Sequence, residues 1–409
     1  MVLILADDVG LEGFGCYGGT SYATPRIDAL AARGMRFTHC YSQPLCTPSR
    51  VKLMTGRGNL ANYVHFSILA PGERTFAQLA RDAGYATGVF GKWQLLGAGH
   101  YGERAGTGTH PRDAGFDEWC LWQVETLGSR YADPTVDVGG ELRRDLSGAY
   151  GPDLFCDALL EFATRERDGP FLAYYPMALV HDPFVATPGS PEGERTKQQY
   201  FADMVAYMDG IVGRIEDGLD AAGLLEDTVI LFSSDNGTHP AIRSEYRGRE
   251  VVGGKGRSID AGIHVPLIAA WPGRIAAGAR CDDLVDFSDF YPTLAGLMEA
   301  EIPVEEYLEL DGVSFLMPLL GGVGTPRDCV TIYSNPRPPG DARNPRVRFA
   351  FDRRWKLYDD GRMYDRDADP DELAPLAAGA LGDDARAARA RLQAALDAMP
   401  DEPEHLRAR

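Results

Sequence analysis

The sequence predicts an α/β protein built on a large, mostly parallel sheet flanked by helices, followed by a small antiparallel α+β domain. Two observations carry that expectation. Over residues 1–325, short apolar runs suited to strands covered on both faces alternate with amphipathic helical patterns, which implies right-handed crossovers between parallel strands. After Gly321-Gly322-Val323-Gly324-Thr325-Pro326 the alternation stops and strand-like runs follow one another directly, so a second domain is expected over 326–409.

Val2-Leu3-Ile4-Leu5 is the first strand. Thr24-Pro25 opens a helix through Ile27, Leu30 and Ala31 that Gly34 ends, and residues 35–41 read as the next strand. Leu45-Cys46-Thr47-Pro48-Ser49-Arg50 is then a strand-to-helix corner, with Thr47 as cap, Pro48 at the first helical position and Gly56 as stop. A helix from Phe76 to Gly84 leads into a strand over 85–90. Residues 98–150 are rich in glycine, charge and aromatics without periodicity, the pattern of loops around a site mouth. A helix from Leu154 to Arg165 precedes a strand over 171–175. Tyr200 to Ala222 is the longest helical pattern, and its stripe through Phe201, Met204, Val205, Met208, Ile211, Val212, Ile215 and Leu219 is core packing. Residues 228–233 and 265–271 are strands, and Phe290 to Met298 is a helix. Beyond residue 326, strands are expected at 330–333, 347–351 and 355–358, with an Asp359-Asp360-Gly361 hairpin turn before Met363-Tyr364 and a closing helix over 383–398.

With 409 residues and 44% hydrophobic content the chain can bury a sizeable core. A formal charge of −19 argues against general attraction to nucleic acid, and against long polyanions unless a local basic pocket outweighs it. Seven cysteines (16, 40, 46, 120, 156, 281, 329) include no Cys-x-x-Cys pair, and their spacing leaves disulfide pairing open. No apolar run is long enough to span a bilayer, and no basic-plus-apolar leader is present. Met1 stands directly against an apolar strand, the pattern of a trimmed N-terminus.

The chemistry-bearing residues fall at strand ends, where open parallel sheets bind ligands. Asp7-Asp8 follows the first strand, as an Asp-rich turn or as half of a cation site. Asp235-Asn236 follows the strand at 228–233; Asn236-Gly-Thr238 also fits a glycosylation sequon, which an inward-facing ligand could not serve. Together the four offer oxygen ligands to one metal, with calcium the best match and magnesium second. Arg50, Lys92, His181 and Lys255 bring cations or protons from separate strand ends, and Cys46 lies between the two sets at a helix start that favours anions. Such a site suits cleavage of a small tetrahedral anion ester.

Five strings in order resemble the type I sulfatases of the alkaline phosphatase superfamily. They are Leu-Ala-Asp7-Asp8-Val-Gly, Cys46-Thr-Pro-Ser-Arg50, Gly91-Lys92-Trp93, Ser-Asp235-Asn236-Gly, and Lys255-Gly through Gly262-Ile-His-Val-Pro. The resemblance implies a sulfuric-ester hydrolase acting on a small sulfated molecule, with a carbohydrate the expected substrate. It further implies that a formylglycine-generating enzyme oxidises Cys46 to an aldehyde. Metal ligands would be Asp7, Asp8, residue 46, Asp235 and Asn236. The hydrated aldehyde would attack sulfur while Arg50, Lys92 and Lys255 hold sulfate oxygens and His181 protonates the leaving alcohol. One position departs from the pattern: Gln94 stands where the family commonly has histidine, and glutamine cannot accept a proton at useful pH. Two alternatives stay open, phosphate- or phosphonate-ester cleavage on the same fold and a non-catalytic anion-binding relative. Substrate specificity is expected in 98–150 and in loops near 185–199, 239–252 and 335–346; oligomeric state is not legible.

Overall fold

A computed structural model describes residues 1–338, 342–377, 379 and 381–407. Strand β1 (Val2–Ala6) is buried at every position because both faces of the sheet are covered. Leu3 and Leu5 enter one core with Phe76 and Trp93, while Val2, Ile4 and Ala6 enter the other with Phe201 and Val205.

Around β1 a ten-stranded sheet is assembled from β2 (Met35–Tyr41), β3 (Ala86–Lys92), β4 (Glu118–Trp122), β5 (Val136–Val138), β6 (Glu141–Arg143), β7 (Phe171–Pro176) and β8 (Ile230–Ser234). A two-stranded hairpin, β9 (Arg243–Tyr246) and β10 (Arg249–Val252), stands apart, and β11 (His264–Ala270) and β12 (Ala279–Asp286) complete the large sheet. Its order is β12-β2-β11-β8-β1-β7-β3-β4-β5-β6. Pairing is parallel for β12 with β2, β8 with β1, β1 with β7, β7 with β3 and β3 with β4. The mostly parallel sheet is therefore present, but β11 runs against both β2 and β8, and β4-β5-β6 ends the sheet as an antiparallel meander.

Three stretches depart from the sequence expectation. Residues 98–150 are not loops throughout: Trp119, Cys120, Leu121 and Trp122 are buried on β4, which the surrounding glycine and charge masked. Strand β12 alternates exposed polar with partly buried positions before its buried Leu284-Val285-Asp286 end, a weak signal typical of a sheet edge. The supposed loop at 239–252 is largely the β9–β10 hairpin. The 335–346 loop lies partly outside the described residues.

Helices fit the expected places with shifted ends. The helix over Lys197–Ala221 starts earlier than its apolar stripe because Thr196 and Gln199 form a capping box, as Thr75 and Gln78 do for Phe76–Asp82. At the Cys46 corner the helix is Cys46–Thr55, not one capped by Thr47. Leu45 is the cap residue, and Thr47 Oγ1 instead accepts from the Ser67 N–H at 3.0 Å. Ser49 Oγ secures the corner by donating to the Leu45 carbonyl at 2.9 Å and accepting from the Gln43 N–H at 3.0 Å.

The second sheet is an antiparallel meander of β13 (Val330–Ser334), β14 (Val347–Phe351), β15 (Trp355–Tyr358) and β16 (Met363–Asp365). One face takes Ala385, Ala388, Leu392 and Leu396 of the helix Asp383–Asp397. The other packs Val330, Ile332, Phe349 and Phe351 against Tyr41, Ile263 and Leu284 of the large unit. All seven cysteines are free. Among the described residues no helix is long and apolar enough to cross a membrane.

Candidate active site

The parallel strands β1, β3, β7 and β8 end on one edge of the sheet, and β2 leads into the Cys46 helix at that edge. Close backbone approach there depends on glycine. A Cβ on Gly91 (φ 121°) would lie 2.1 Å from the Pro176 carbonyl oxygen, and one on Gly237 would lie 1.8 Å from that of Ala261. Gly91 thus lets β3 deliver Lys92, and Gly237 lets the Asp235–Asn236 turn dock on the segment that follows Lys255. Asp8 sits at φ 65°, a left-handed conformation that aspartate tolerates, so adjacent carboxylates diverge to different partners.

These elements bring the named side chains together. Lys92 Nζ donates to both Asp7 oxygens at 2.8 and 3.0 Å. Arg50 donates through Nε and Nη2 to Asp235 Oδ2 at 3.0 and 2.9 Å, and its Nη2 lies 3.7 Å from Asp7. Lys255 Nζ donates to Asp8 Oδ2 at 2.5 Å and reaches His181 Nε2 at 3.0 Å. Asn236 Nδ2 donates to Asp8 Oδ1 at 2.8 Å, and Asp235 Oδ1 accepts from the Asp8 N–H at 3.2 Å. Cys46 Sγ lies 4.0 Å from Asp8 Oδ1. Asp7, Asp8, Cys46 and His181 present ligand atoms all within 4.8 Å of one another. Asn236 is fully buried, so the sequon carries no glycan, and its Oδ1 has no hydrogen-bond partner.

Burial sets the protonation states against the ion pairs. It raises the Asp7 and Asp8 carboxyls, but the surrounding positive charges, Lys92 foremost at Asp7, more than reverse it, so both remain ionised. Asp235 is pushed up to about 7 by burial and by Asp7, with Arg50 opposing. Burial pushes the Cys46 thiol up to about 12, against the pull of Lys92 and Lys255. Burial lowers His181 to about 4, opposed by Asp8 and reinforced by Lys255. The imidazole is neutral; Nδ1, 2.6 Å from the Asp182 carbonyl, carries the proton, and Nε2 accepts from Lys255.

Residues 1–300 match the family model described as Sulfatase. The chain belongs to the sulfatase family. It is a sulfuric ester hydrolase, 34% identical over 382 residues to arylsulfatase A of Homo sapiens, a match that covers 84% of this chain and 71% of that one. The N-acetylgalactosamine-6-sulfatase of Canis lupus familiaris is 30% identical over 363 residues, covering 80% and 67% of the two chains. Among solved structures, one in complex with its substrate D-glucosamine-2-N,6-O-disulfate superimposes with a TM-score of 0.77 at 20% identity, covering 99% of both chains.

Several residues that shape the sulfatase's site have structural tasks that the sequence does not show. Tyr131, within the irregular stretch, donates its hydroxyl to the carbonyls of Ala178 and His181 and so fixes the histidine's backbone. Ser234 Oγ and Thr238 Oγ1 accept from the Val9 and Gly10 N–H groups at 3.3 and 3.0 Å and tie the Asp7–Asp8 loop to the Asp235 turn. Gln94, by contrast, is buried at φ 57° with its Oε1 unpartnered and makes no hydrogen bond to the cluster.

Proposed function

We propose that this sulfatase removes sulfate from a small sulfated carbohydrate, using Cys46 after its oxidation to formylglycine by a formylglycine-generating enzyme. In the same proposal a divalent cation, calcium first and magnesium second, is held by Asp7, Asp8, Asp235, Asn236 and residue 46, all within residues 1–325; residues 326–409 form a separate supporting domain. The gathering of Asp7 and Asp8 with residue 46 carries this proposal, together with Asp235, which accepts from the Asp8 N–H, and the buried, unpartnered Asn236 Oδ1, an oxygen of the kind a hard cation takes up. The cation supplies Lewis-acid polarisation, and the aldehyde supplies, once hydrated, a hydroxyl nucleophile that a neutral buried thiol cannot match.

The chain's own residues divide the remaining work by exposure. Arg50 and Lys92, 1% and 0% exposed at the side chain, have donors committed to Asp235 and Asp7; they hold the carboxylates in place and add positive charge behind the sulfate oxygens. Lys255 and His181, at 13% and 16%, are the more open pair. Lys255 has three N–H bonds, of which Asp8 and His181 engage two, leaving one for the leaving oxygen; His181 Nε2 relays a proton between Lys255 and that oxygen. Gln94 has no proton to exchange, so release of sulfate proceeds without a histidine at that position.

The sugar-directed relative and the solved substrate complex support a carbohydrate as the substrate class. Peptide mass spectrometry on protein from the native host tests the modification: an aldehyde-bearing, lighter peptide containing residue 46 is expected. An unmodified thiol in active protein overturns the formylglycine step. Chromogenic aryl sulfate is expected to turn over faster than aryl phosphate, and the reverse order overturns the choice of sulfate.

A further inference from the structure

A cavity of about 600 Å³ lies away from the catalytic edge. It runs along the seam between β2, the β9–β10 hairpin and the segment around β16, and none of the residues assigned to hydrolysis or metal binding lines it. Six arginines do: Arg36, Arg247, Arg249, Arg280, Arg353 and Arg366. Only Glu12, Asp260 and Asp367 oppose them in the lining, in a chain whose net charge is −19.

The pairing of these arginines is uneven. Arg366 and Arg280 are satisfied by Asp260 and Asp282 at 2.8 and 2.7 Å, and Arg249 and Arg353 lie 3.2 and 3.7 Å from Asp371 and Asp283. Arg247 has no carboxylate within ion-pair distance among the described residues and donates only to the Tyr17 carbonyl at 3.3 Å. Arg36 is half-buried and has neither a hydrogen-bond acceptor nor an ion-pair partner among the described residues; its guanidinium lies 5.5 Å from the Tyr17 ring centroid. A guanidinium sheltered from water with its fork of donors unused is complementary to a tetrahedral oxyanion. His39, His264 and Tyr41 form a stack in the lining, with His264 between Tyr41 at 4.6 Å and His39 at 5.9 Å and the Arg366 guanidinium 4.9 Å from the Tyr41 ring centroid. Glu12 is 4% exposed and its Oε1 has no partner, a buried acceptor ready for a hydroxyl.

We propose that this cavity is a second binding site, separate from the hydrolytic centre, for a small polyol or sugar that carries sulfate or phosphate ester groups. The unpaired guanidiniums take the ester oxygens, and Glu12 accepts from a free hydroxyl. Its volume suits a ligand of one to two sugar rings.

Isothermal titration with inositol hexasulfate and inositol hexakisphosphate, which share a ring and differ only in the ester, tests the site. At least one is expected to bind the parent protein, more weakly as salt is raised. Arg36→Gln with Arg247→Gln is expected to weaken binding about tenfold or more while aryl sulfate turnover is unchanged. Lys255→Ala is expected to lower turnover and leave probe binding intact. Arg247→Gln alone, on the exposed hairpin, gives a folding-neutral check and is expected to weaken binding about threefold. Tighter binding of the sulfate probe or of the phosphate probe supports the site and identifies its ester. No binding of either probe, binding indifferent to the arginine substitutions, or binding lost in Lys255→Ala overturns the proposal.

Discussion

Lys92→Met separates an anchoring lysine from one that meets substrate. Methionine keeps most of the stem volume and removes the ammonium. Both members of the Lys92–Asp7 pair are 0% exposed, so Asp7 is left as a buried carboxylate with one remaining cation, Arg50 at 3.7 Å. Removing one partner of a buried pair costs about 3–5 kcal/mol. The Arg50 attraction, about 4 kcal/mol at an effective dielectric of 20, persists in both proteins and keeps the loss near the lower end, about 3 kcal/mol, or roughly a hundredfold in the folding equilibrium. Lys255→Met differs in kind. Its side chain is 13% exposed, and Asp8 retains the Asn236 hydrogen bond at 2.8 Å and His181 at 3.7 Å. Its stability loss is expected below about 2 kcal/mol, with turnover falling about 10²- to 10³-fold. Urea denaturation followed by tryptophan fluorescence, in chelator, measures the first quantity, and aryl sulfate turnover with metal measures the second. Chelator matters because a cation at a hundred times its Kd adds about 2.7 kcal/mol and masks the difference. Parent-like stability of Lys92→Met, or a larger stability loss for Lys255→Met, refutes the division between anchor and acid.

Arg50→Ala is expected to lower turnover about 10²-fold or more and to destabilise the fold, because Asp235 loses both of its side-chain donors; turnover equal to the parent refutes the role. Chelation is expected to abolish turnover and lower the unfolding midpoint, with calcium restoring both more fully than zinc, since the donors are carboxylate and amide oxygens; equal rescue by zinc points to His181 as a ligand. Gly91→Ala is expected to cost more than about 2 kcal/mol, because its Cβ meets the Pro176 carbonyl at 2.1 Å on a backbone at φ 121°, and soluble protein of parental stability contradicts it. Gln94→His is expected to raise turnover by returning a proton acceptor beside Lys92, and an unchanged rate shows that sulfate release is not limited there.

Legibility in the sequence followed how local each signal was. The apolar runs of β1 and β8 and the stripe through Phe201 and Leu219 are visible because burial on both faces, or on one helix face, leaves a pattern within a few residues. Strand β4 was lost among glycines and charges, and β12 was lost because an edge strand keeps Arg280, Asp282 and Asp283 on its surface. The direction of β11 was not readable at all, since strand polarity is fixed by connection geometry rather than by composition. At the site, Asp7, Cys46, Lys92 and Asp235 were legible because each stands at the end of a strand or the start of a helix. Tyr131 was not: its task is one hydroxyl reaching carbonyls nearly fifty residues away in sequence.

Charge at the catalytic edge explains why so acidic a chain handles an anion. Asp7, Asp8 and Asp235 are met one for one by Lys92, Lys255 and Arg50, while His181 is neutral. That balance lets three carboxylates stay buried side by side, and it leaves the site with little net charge of its own. A metal ion held among them, as proposed above, would supply the excess positive charge that a sulfate monoester requires. Two locations counter the −19 of the surface: the catalytic edge, where the proposed metal would tip the balance, and the arginine cavity, where Arg36 and Arg247, without carboxylate partners among the described residues, do so without one. Salt distinguishes them. Anion binding to the arginine cavity weakens as ionic strength rises in chelator and in calcium alike, whereas binding at residue 46 depends first on the metal.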